Sequence, residues 1–434
     1  MEALTIDGGR PLRGTVAVSG AKNAALPIMA AALLADGPVQ LEQVPRLHDV
    51  ETLSQVLTRL GMQTAWGDDG RLSLITSDDR PVRADYELVR RMRASFCVLG
   101  PLLARRGRAI VPLPGGCNLG PRPVDLHLKG LAALGAEIRV EQGNVVAAAR
   151  RLRGAAIDLN GPYGSTVTGT ANVLCAAVLA RGVTQIVGAA REPEIVDLGN
   201  FLTALGAQIE GLGDSTLVIH GVEQLQGTSY RIIPDRIEAA TLLLAGAITG
   251  GKVTVAGARS EHLTAVLDVL RQSGASVVAG EQTLTLTAPE RPRPLELTAL
   301  PYPGVPTDLQ SQLMALATIA DGRSMLRDRV FTHRFQHVAE LNRLGADIRQ
   351  QGDTAEVRGI SHLSGAPVVA PDLRAGAALV LAGLAARGQT RVEQIAHLDR
   401  GYQRLDLKLA QLGARVQRVP AEGCLDASAA KNLG

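Results

Sequence analysis

One phrase returns six times along this chain: RLGMQT at residue 59, ALGAEI at 133, ALGAQI at 204, QSGASV at 272, RLGADI at 343 and QLGARV at 411. A period of about 70 residues marks a repeated structural unit. Between these copies a second phrase recurs, an apolar run closed by glycine and followed by strand-like residues: ALLADGPVQL, LLARRGRAIV, AVLARGVTQIV, AGAITGGKVTV, ATIADGRSML and GLAARGQTRV. The glycine is expected at a helix C-cap, where the backbone needs positive φ, with a short strand after it. Each unit therefore holds two helices and several strands. The first helix, as in NAALPIMAAALL or DLRAGAALVLAGLAA, is apolar nearly all round and is expected to be buried. The second, as in VETLSQVLTRL or YQRLDLKLAQL, keeps a polar face and is expected to lie outside. Buried helices wrapped by sheets follow, and the six units divide three and three near residue 234.

At 434 residues the chain exceeds one ordinary core, and two domains of about 200 residues are expected. Aromatic residues are only 2% and the net charge is +3, so small aliphatics must do the packing, and base-stacking platforms for nucleic acid are lacking. No nucleic-acid partner is expected. No apolar run reaches the roughly 20 residues of a membrane span, so no membrane partner is expected either. Cys97, Cys117, Cys175 and Cys424 show no metal-ligand spacing, which fits a reducing cytoplasm. Cys97 and Cys175 fall in apolar helix patterns and read as core, while Cys424 lies in a terminal tail beyond the repeats. His333 and His337 read as a helix-surface pair, with no third ligand for a metal.

A six-unit scaffold that only binds partners would carry interchangeable Ser, Thr or Asp caps at its helix starts. This chain carries particular ions there instead. Lys22 and Asn23 open SGAKNAAL, Arg93 stands near the start of MRASFCVLGPLL, and Arg122 precedes Pro123 at an expected first helical position. Asp308 opens PTDLQSQLMAL, with Arg334 in THRFQHVAEL, Arg374 in DLRAGAAL and Arg400 in LDRGYQRL. If these helix starts share a cleft, backbone N–H groups and guanidinium forks converge on a polyanionic substrate. Cys117 is the odd cysteine: it sits in the loop LPGGCNLGPRPVDLH rather than in an apolar element.

SGAKNAALPIMAAALL, MRASF, LPGGCNLGPRPVDLH, AAREPEIVDLGNFLTALGA, PDRIEA, PTDLQSQ, DLRAGAALVLAGL and HLDRGYQRLDLKLAQLGA stand in one collinear series from about residue 3 to about 419. In these motifs the chain resembles the enolpyruvyl transferase family, in its branch that acts on UDP-N-acetylglucosamine in peptidoglycan synthesis. The resemblance implies two inside-out α/β barrel domains, each of three βαβαββ repeats. It places one domain at 22–234, the other at 1–21 plus 235–420, and a tail at 421–434. It implies transfer of the enolpyruvyl group of phosphoenolpyruvate to the 3′-hydroxyl of UDP-N-acetylglucosamine with release of phosphate, without cofactor or metal. By the same resemblance Cys117 is the general acid that protonates C3 and the target of the epoxide fosfomycin, and Asp308 is the general base. Lys22, Arg122 and Arg400 are implied to hold the phosphate of phosphoenolpyruvate, with Arg334 and Arg374 nearby for its carboxylate. Asn23 and Arg93 are implied on the sugar nucleotide; Arg122, Pro123, Val124, Asp125 and Leu126 line its uracil and ribose, with Val330 at the opposite wall. A thiol, ordinarily titrating near about 8.5, stays mostly protonated at neutrality, and neighbouring Arg122 would draw it toward the working pH. The chain departs from the family at Gly164, where a lysine is usual, at Ala171, where a glutamate is usual, and in FTHRF before Arg334. A paralogue using another uridine nucleotide, or a silent nucleotide-binding regulator of wall synthesis, is the alternative.

Overall fold

The computed structural model describes residues 2–114, 123–162 and 164–421, in two compact units. One runs from Ser19 to Asp235; the other joins the chain up to Val18 with the chain from Arg236 onward.

The third repeat shows the unit in full. Strand Ala156–Asp158 leads through helix Val167–Ala177 to strand Val183–Val187, which lies parallel to it, Ile186 opposite Ile157. Helix Pro193–Ala204 follows, and the hairpin Gln208–Glu210 with Thr216–His220 closes the sheet antiparallel, Ile186 opposite Leu217. The helix crossover imposes the parallel pair and the tight turn the antiparallel one. The same βαβαββ order recurs, with strands borrowed where the sequence unit is incomplete. In the Ser19–Asp235 unit, Thr228–Arg231 returns to pair in parallel with Val39–Glu42 of the first repeat. The second repeat has three full strands, its first strand reduced to a single parallel bridge between Arg83 and Ile110. In the other unit, Arg13–Ala17 pairs in parallel with Lys252–Ala256, and Glu2–Asp7 lies between Gln389–Glu393 and Arg415–Pro420, antiparallel to both. These pairings join the first residues of the chain to its fourth and its last repeats.

Helix composition follows position as the patterns require. Every residue of helix Arg236–Ile248 is buried, as is nearly all of Leu373–Ala385. Helices His48–Arg59 and Thr264–Gln272 bury one stripe, Val50, Leu53, Val56 and Leu57 in the first and Val266, Leu267, Val269 and Leu270 in the second. Each unit has its own aliphatic core, with Phe96 and Phe201 in one and Tyr402 and Phe335 in the other as its large rings.

The six-fold phrase is a helix stop. Gly61, Gly135, Gly206, Gly274, Gly345 and Gly413 follow the helix C-cap with φ between 85° and 109°. The residue after the glycine then donates back into the last turn, Ala207 to the Leu202 carbonyl at 3.0 Å and Ala414 to that of Leu409 at 3.0 Å. This is the Schellman arrangement, which satisfies carbonyls the helix end leaves over. The glycines of the second phrase behave differently from expectation. Gly107 is a helix C-cap with φ 67°, but Gly182, Gly322 and Gly388 take positive φ beyond the helix, on entry to the strand. Gly37 does not take positive φ: the helix there ends in the 3₁₀ turn Ala32–Leu34 and leaves through extended Ala35.

A Cβ on Gly345 would meet nothing within 4 Å, so the cost of adding one is purely conformational. Gly345→Ala is expected to lose about 1–2 kcal/mol in urea unfolding, the cost of a left-handed L-residue. An unchanged midpoint would show that the stop does not depend on glycine.

Candidate active site

In the Ser19–Asp235 unit, Lys22 is the first residue of the buried helix Lys22–Ala31. Gly20 brings it there: a Cβ at that position would lie 1.7 Å from the Gln43 carbonyl oxygen. The Lys22 ammonium donates to Asp49 Oδ2 at 3.0 Å, the two side chains 8% and 6% exposed, and its backbone N–H reaches Asp235 Oδ2 at 3.4 Å. Two charges this deeply placed are tolerable only as a pair, and removal of either leaves the other uncompensated. Asn23, beside it, is exposed. Asp49 had no signal in the sequence, because an acid in a helix's first turn is ordinary dipole complementation.

Arg93 begins the 3₁₀ helix Arg93–Val98, and its Nη2 donates to the Pro123 carbonyl at 3.4 Å, linking it to the segment 123–126. That segment differs from expectation. Helix Asp125–Ala133 starts two residues after Pro123, with Val124 (φ −109°, ψ 13°) at its cap, so Pro123 precedes the helix instead of opening it. Asp125 stands exposed at the helix start, and Leu126 packs on the core. Cys117 and Arg122, and with them the proposed acid and one phosphate ligand, lie outside the described residues, as does Cys424. Cys97 and Cys175 are buried free thiols. Burial pushes Cys97 up to about 12, against the pull of Arg93, and Cys175 higher still. Gly164, where the family has lysine, has φ 96° in the short hairpin of Asn160–Gly161 and Gly164–Ser165, a conformation that disfavours any side chain. Ala171 is buried inside helix Val167–Ala177.

Behind this surface lies a polar network that single-sequence patterns do not reveal. Asn172 Oδ1 accepts the Gly100 N–H at 2.7 Å, while its Nδ2 donates to the Phe96 carbonyl at 3.1 Å and to His127 Nδ1 at 2.9 Å. Since Nδ1 accepts, the His127 proton sits on Nε2 and is donated to Thr168 Oγ1 at 3.2 Å. The ring meets Phe96 edge-on at 5.3 Å. Three segments that carry Arg93, Pro123 to Leu126 and Thr168 are thus tied to one buried amide.

In the other unit, three of the expected residues meet. Asp308 lies in the 3₁₀ turn Thr307–Leu309 that enters helix Gln310–Ala317. Arg374 is the second residue of helix Leu373–Ala385, whose start is capped by Asp372 accepting the Arg374 and Ala375 N–H groups at 2.7 and 3.0 Å. Arg334 stands in the turn before helix His337–Arg343. Arg334 Nη1 reaches Asp308 Oδ1 and Arg374 Nη2 reaches Asp308 Oδ2, both at 2.7 Å. Burial opposes the Asp308 charge, but the guanidiniums of Arg374 and Arg334 override it and hold the carboxyl well below the usual carboxylate range. Arg334 Nε is buried without an acceptor among the described residues. Arg400 does not open a helix as expected; it is the last residue of the 3₁₀ helix Ile395–Arg400. Val330 is half-buried, its N–H bound to Asp328 Oδ1 at 2.9 Å. The two histidines are not a surface pair: His333 is exposed in the turn, while His337 is 1% exposed, and burial holds it down to about 4. Among the described residues no group of three or more His, Cys, Asp or Glu could hold a metal ion, and no helix is long and apolar enough to cross a membrane.

Six units of βαβαββ in two barrels, with buried helices that open on cations and a carboxylate, define the enolpyruvyl transferase class. A family model described as EPSP synthase (3-phosphoshikimate 1-carboxyvinyltransferase) matches residues 6–409, and the chain belongs to that family. A UDP-N-acetylglucosamine 1-carboxyvinyltransferase of Halorhodospira halophila is 51% identical over 420 residues, covering 97% of this chain and 100% of the relative. One of Anaeromyxobacter sp. is 53% identical over 425 residues, with coverage of 97% and 100%. The crystal structure of the enolpyruvyl transferase NikO from Streptomyces tendae superposes with a TM-score of 0.88 at 28% identity, over 97% of this chain and 99% of that one. EPSP synthase from Acinetobacter baumannii, at 18% identity and a TM-score of 0.74 over 97% of this chain and 100% of that one, shares the fold.

The buried histidines set a pH dependence. Burial lowers His127 to about 3, with Arg93 adding to the effect, and His337 to about 4. An unfolded histidine binds its proton near about 6.5, so between that value and the folded one the unfolded state holds more protons and stability falls as pH falls. Each histidine is expected to cost about 1.4 kcal/mol per pH unit at full effect. Urea unfolding between pH 7 and 5 checks this. His337→Gln is expected to flatten the slope, and a native protein whose stability is level over this window would contradict the burial argument.

Proposed function

We propose that this protein transfers the enolpyruvyl group of phosphoenolpyruvate to the 3′-hydroxyl of UDP-N-acetylglucosamine, releasing phosphate, in the synthesis of peptidoglycan precursors. The relatives that share half of its residues over their whole length carry this activity in their names. The observation that best supports the chemistry is the carboxylate of Asp308 gripped by two buried guanidiniums at helix starts. The place of action is the cytoplasm, a reading supported by the free thiols of Cys97 and Cys175.

In the addition step Cys117 gives a proton to C3 of phosphoenolpyruvate, the sugar hydroxyl oxygen bonds to C2, and Asp308 takes the hydroxyl proton. In the elimination step the Cys117 thiolate takes a proton back from C3 and the freed C–H electron pair re-forms the vinyl group. The C2–O bond to phosphate breaks with its electron pair leaving on the phosphate, which takes up the proton held by Asp308. Lys22, Arg122 and Arg400 neutralise the phosphate, and Asn23, Arg93, the segment 122–126 and Val330 receive the sugar nucleotide. Asp308 in its two-arginine grip is a weak base, because both oxygens are already accepting. The substrate carboxylate offers Arg334 and Arg374 an equivalent bidentate partner. As it takes the guanidiniums, Asp308 is released to accept the sugar proton. The base is thereby armed by the substrate it serves.

Phosphate release assayed with phosphoenolpyruvate and UDP-N-acetylglucosamine tests the proposal; a protein that releases none would refute it. Asp308→Asn is expected to turn over about 10²- to 10⁴-fold more slowly. The same variant is expected to bind phosphoenolpyruvate more tightly, since the arginines lose their internal carboxylate. Weaker binding would argue against the exchange.

Fosfomycin is expected to alkylate Cys117 alone. Thiolate is the attacking form, and Cys97 and Cys175 are held protonated by burial. Peptide mass mapping reads the result, and an adduct on either buried cysteine, with Cys117 unmodified, would exclude Cys117 as the reactive acid.

A further inference from the structure

Asp328 ends strand Arg323–Asp328 with no exposed surface, and its two oxygens face two different parts of the site. Oδ2 accepts the Thr307 hydroxyl at 2.6 Å, and Thr307 is the residue before Asp308. Oδ1 accepts the N–H groups of Val330 at 2.9 Å and Phe331 at 2.8 Å, closing the turn that carries the chain on to Arg334. The strand end is anchored in turn by the Asp328 N–H, donated to the Asp353 carbonyl at 2.9 Å. Thr307 Oγ1 also accepts from Arg334 Nη1 at 3.2 Å, the same nitrogen that holds Asp308. The hydroxyl proton therefore has one direction left, toward Asp328. Arg334, Thr307 and Asp328 form a chain of oriented bonds with Asp308 at one end. Burial pushes the Asp328 carboxyl up, and the Thr307 hydroxyl, the Phe331 and Val330 N–H groups and the nearby Arg334 charge pull it back.

We propose that Asp328 is a positioning residue with two separable duties: through Oδ2 and Thr307 it sets the base Asp308 and its partner Arg334, and through Oδ1 it sets the Val330 wall. The inference rests on the reading of Asp308 as base and Val330 as a wall for the sugar nucleotide. An acid at a strand end followed by a turn looks in the sequence like any Asx turn, so nothing there distinguishes Asp328 from its neighbours.

The two duties predict different kinetics. Asp328→Asn can keep its carbonyl oxygen on the two N–H groups and turn its amide toward Thr307, where the hydroxyl has lost its acceptor. Thr307→Val removes the hydroxyl and leaves the turn intact. Both are expected to lower kcat about 10- to 100-fold, the scale of a misplaced reacting group, with KM for UDP-N-acetylglucosamine little changed. Asp328→Ala is expected to lower kcat and also to raise that KM, because the Val330 turn loses its acceptor. Thr307→Ser, which keeps the hydroxyl, is expected to recover most of the kcat lost in Thr307→Val. A role in stability alone would lower the unfolding midpoint of these variants while leaving kcat and KM native at low temperature, and that result overturns the proposal. Asp308→Asn, measured alongside, separates the two levels. If it turns over like the native protein, the reading of Asp308 as base fails; if it is slow while Thr307→Val and Asp328→Asn are native-like, the positioning role fails.

Discussion

A helix enclosed on every side by other helices and by sheet has nowhere to show a polar group except at its ends. That constraint organises both units. Arg236–Ile248 is buried along its whole length, and Lys22–Ala31 at every residue except Asn23. Their side faces can carry only apolar or fully paired residues. The ends are different, because the first turn of any helix has N–H groups without internal partners, and cations and carboxylates placed there have something to act with. Lys22, Asp308 and Arg374 stand at or next to such starts. The proposed site residues stand where this packing leaves room for charge.

Charges placed so deeply must be held in balance. Lys22 answers Asp49 at 3.0 Å with both side chains buried, and Asp308, 24% exposed, answers the buried Arg334 and Arg374 at 2.7 Å. A buried pair of this kind adds little net stability, since desolvation offsets most of the attraction, yet breaking it by one partner costs several kcal/mol. Such an arrangement is suited to exchange. An incoming anion that matches the geometry of the internal carboxylate can replace it at small net cost, whereas a neutral molecule cannot. The arginines keep the Asp308 carboxylate ionised in the free protein, and under the proposed function the same grip would select an anionic substrate.

Some of this was legible without coordinates. The six-fold glycine phrase marked the repeat, and all six of its glycines stand one residue beyond a C-cap with positive φ. Apolar and half-polar helices were separable by pattern, and Cys97 and Cys175 read as core because their neighbours are apolar on every side. These are local properties, fixed by backbone sterics and by the period of the helix. Pro123, Arg400 and Gly37 were misread because helix boundaries depend on where caps and neighbouring strands take over, which shifts by a residue or two without any change in pattern.

The sequence by itself determined the repeat, the class of each helix, the family and the set of ions to suspect, because each of these rests on short-range periodicity or on collinear motifs. Tertiary structure alone decided which ions meet. Asp49 lies 27 residues from Lys22, Arg374 lies 66 from Asp308, and Asn172 lies 45 from His127. It also decided that His337 is buried while His333 is exposed, four residues apart on a segment whose pattern treats them alike. Hydrogen bonds and ion pairs act over about 3 Å of space, and the chain distance that a fold collapses to reach that separation leaves no trace in residue spacing.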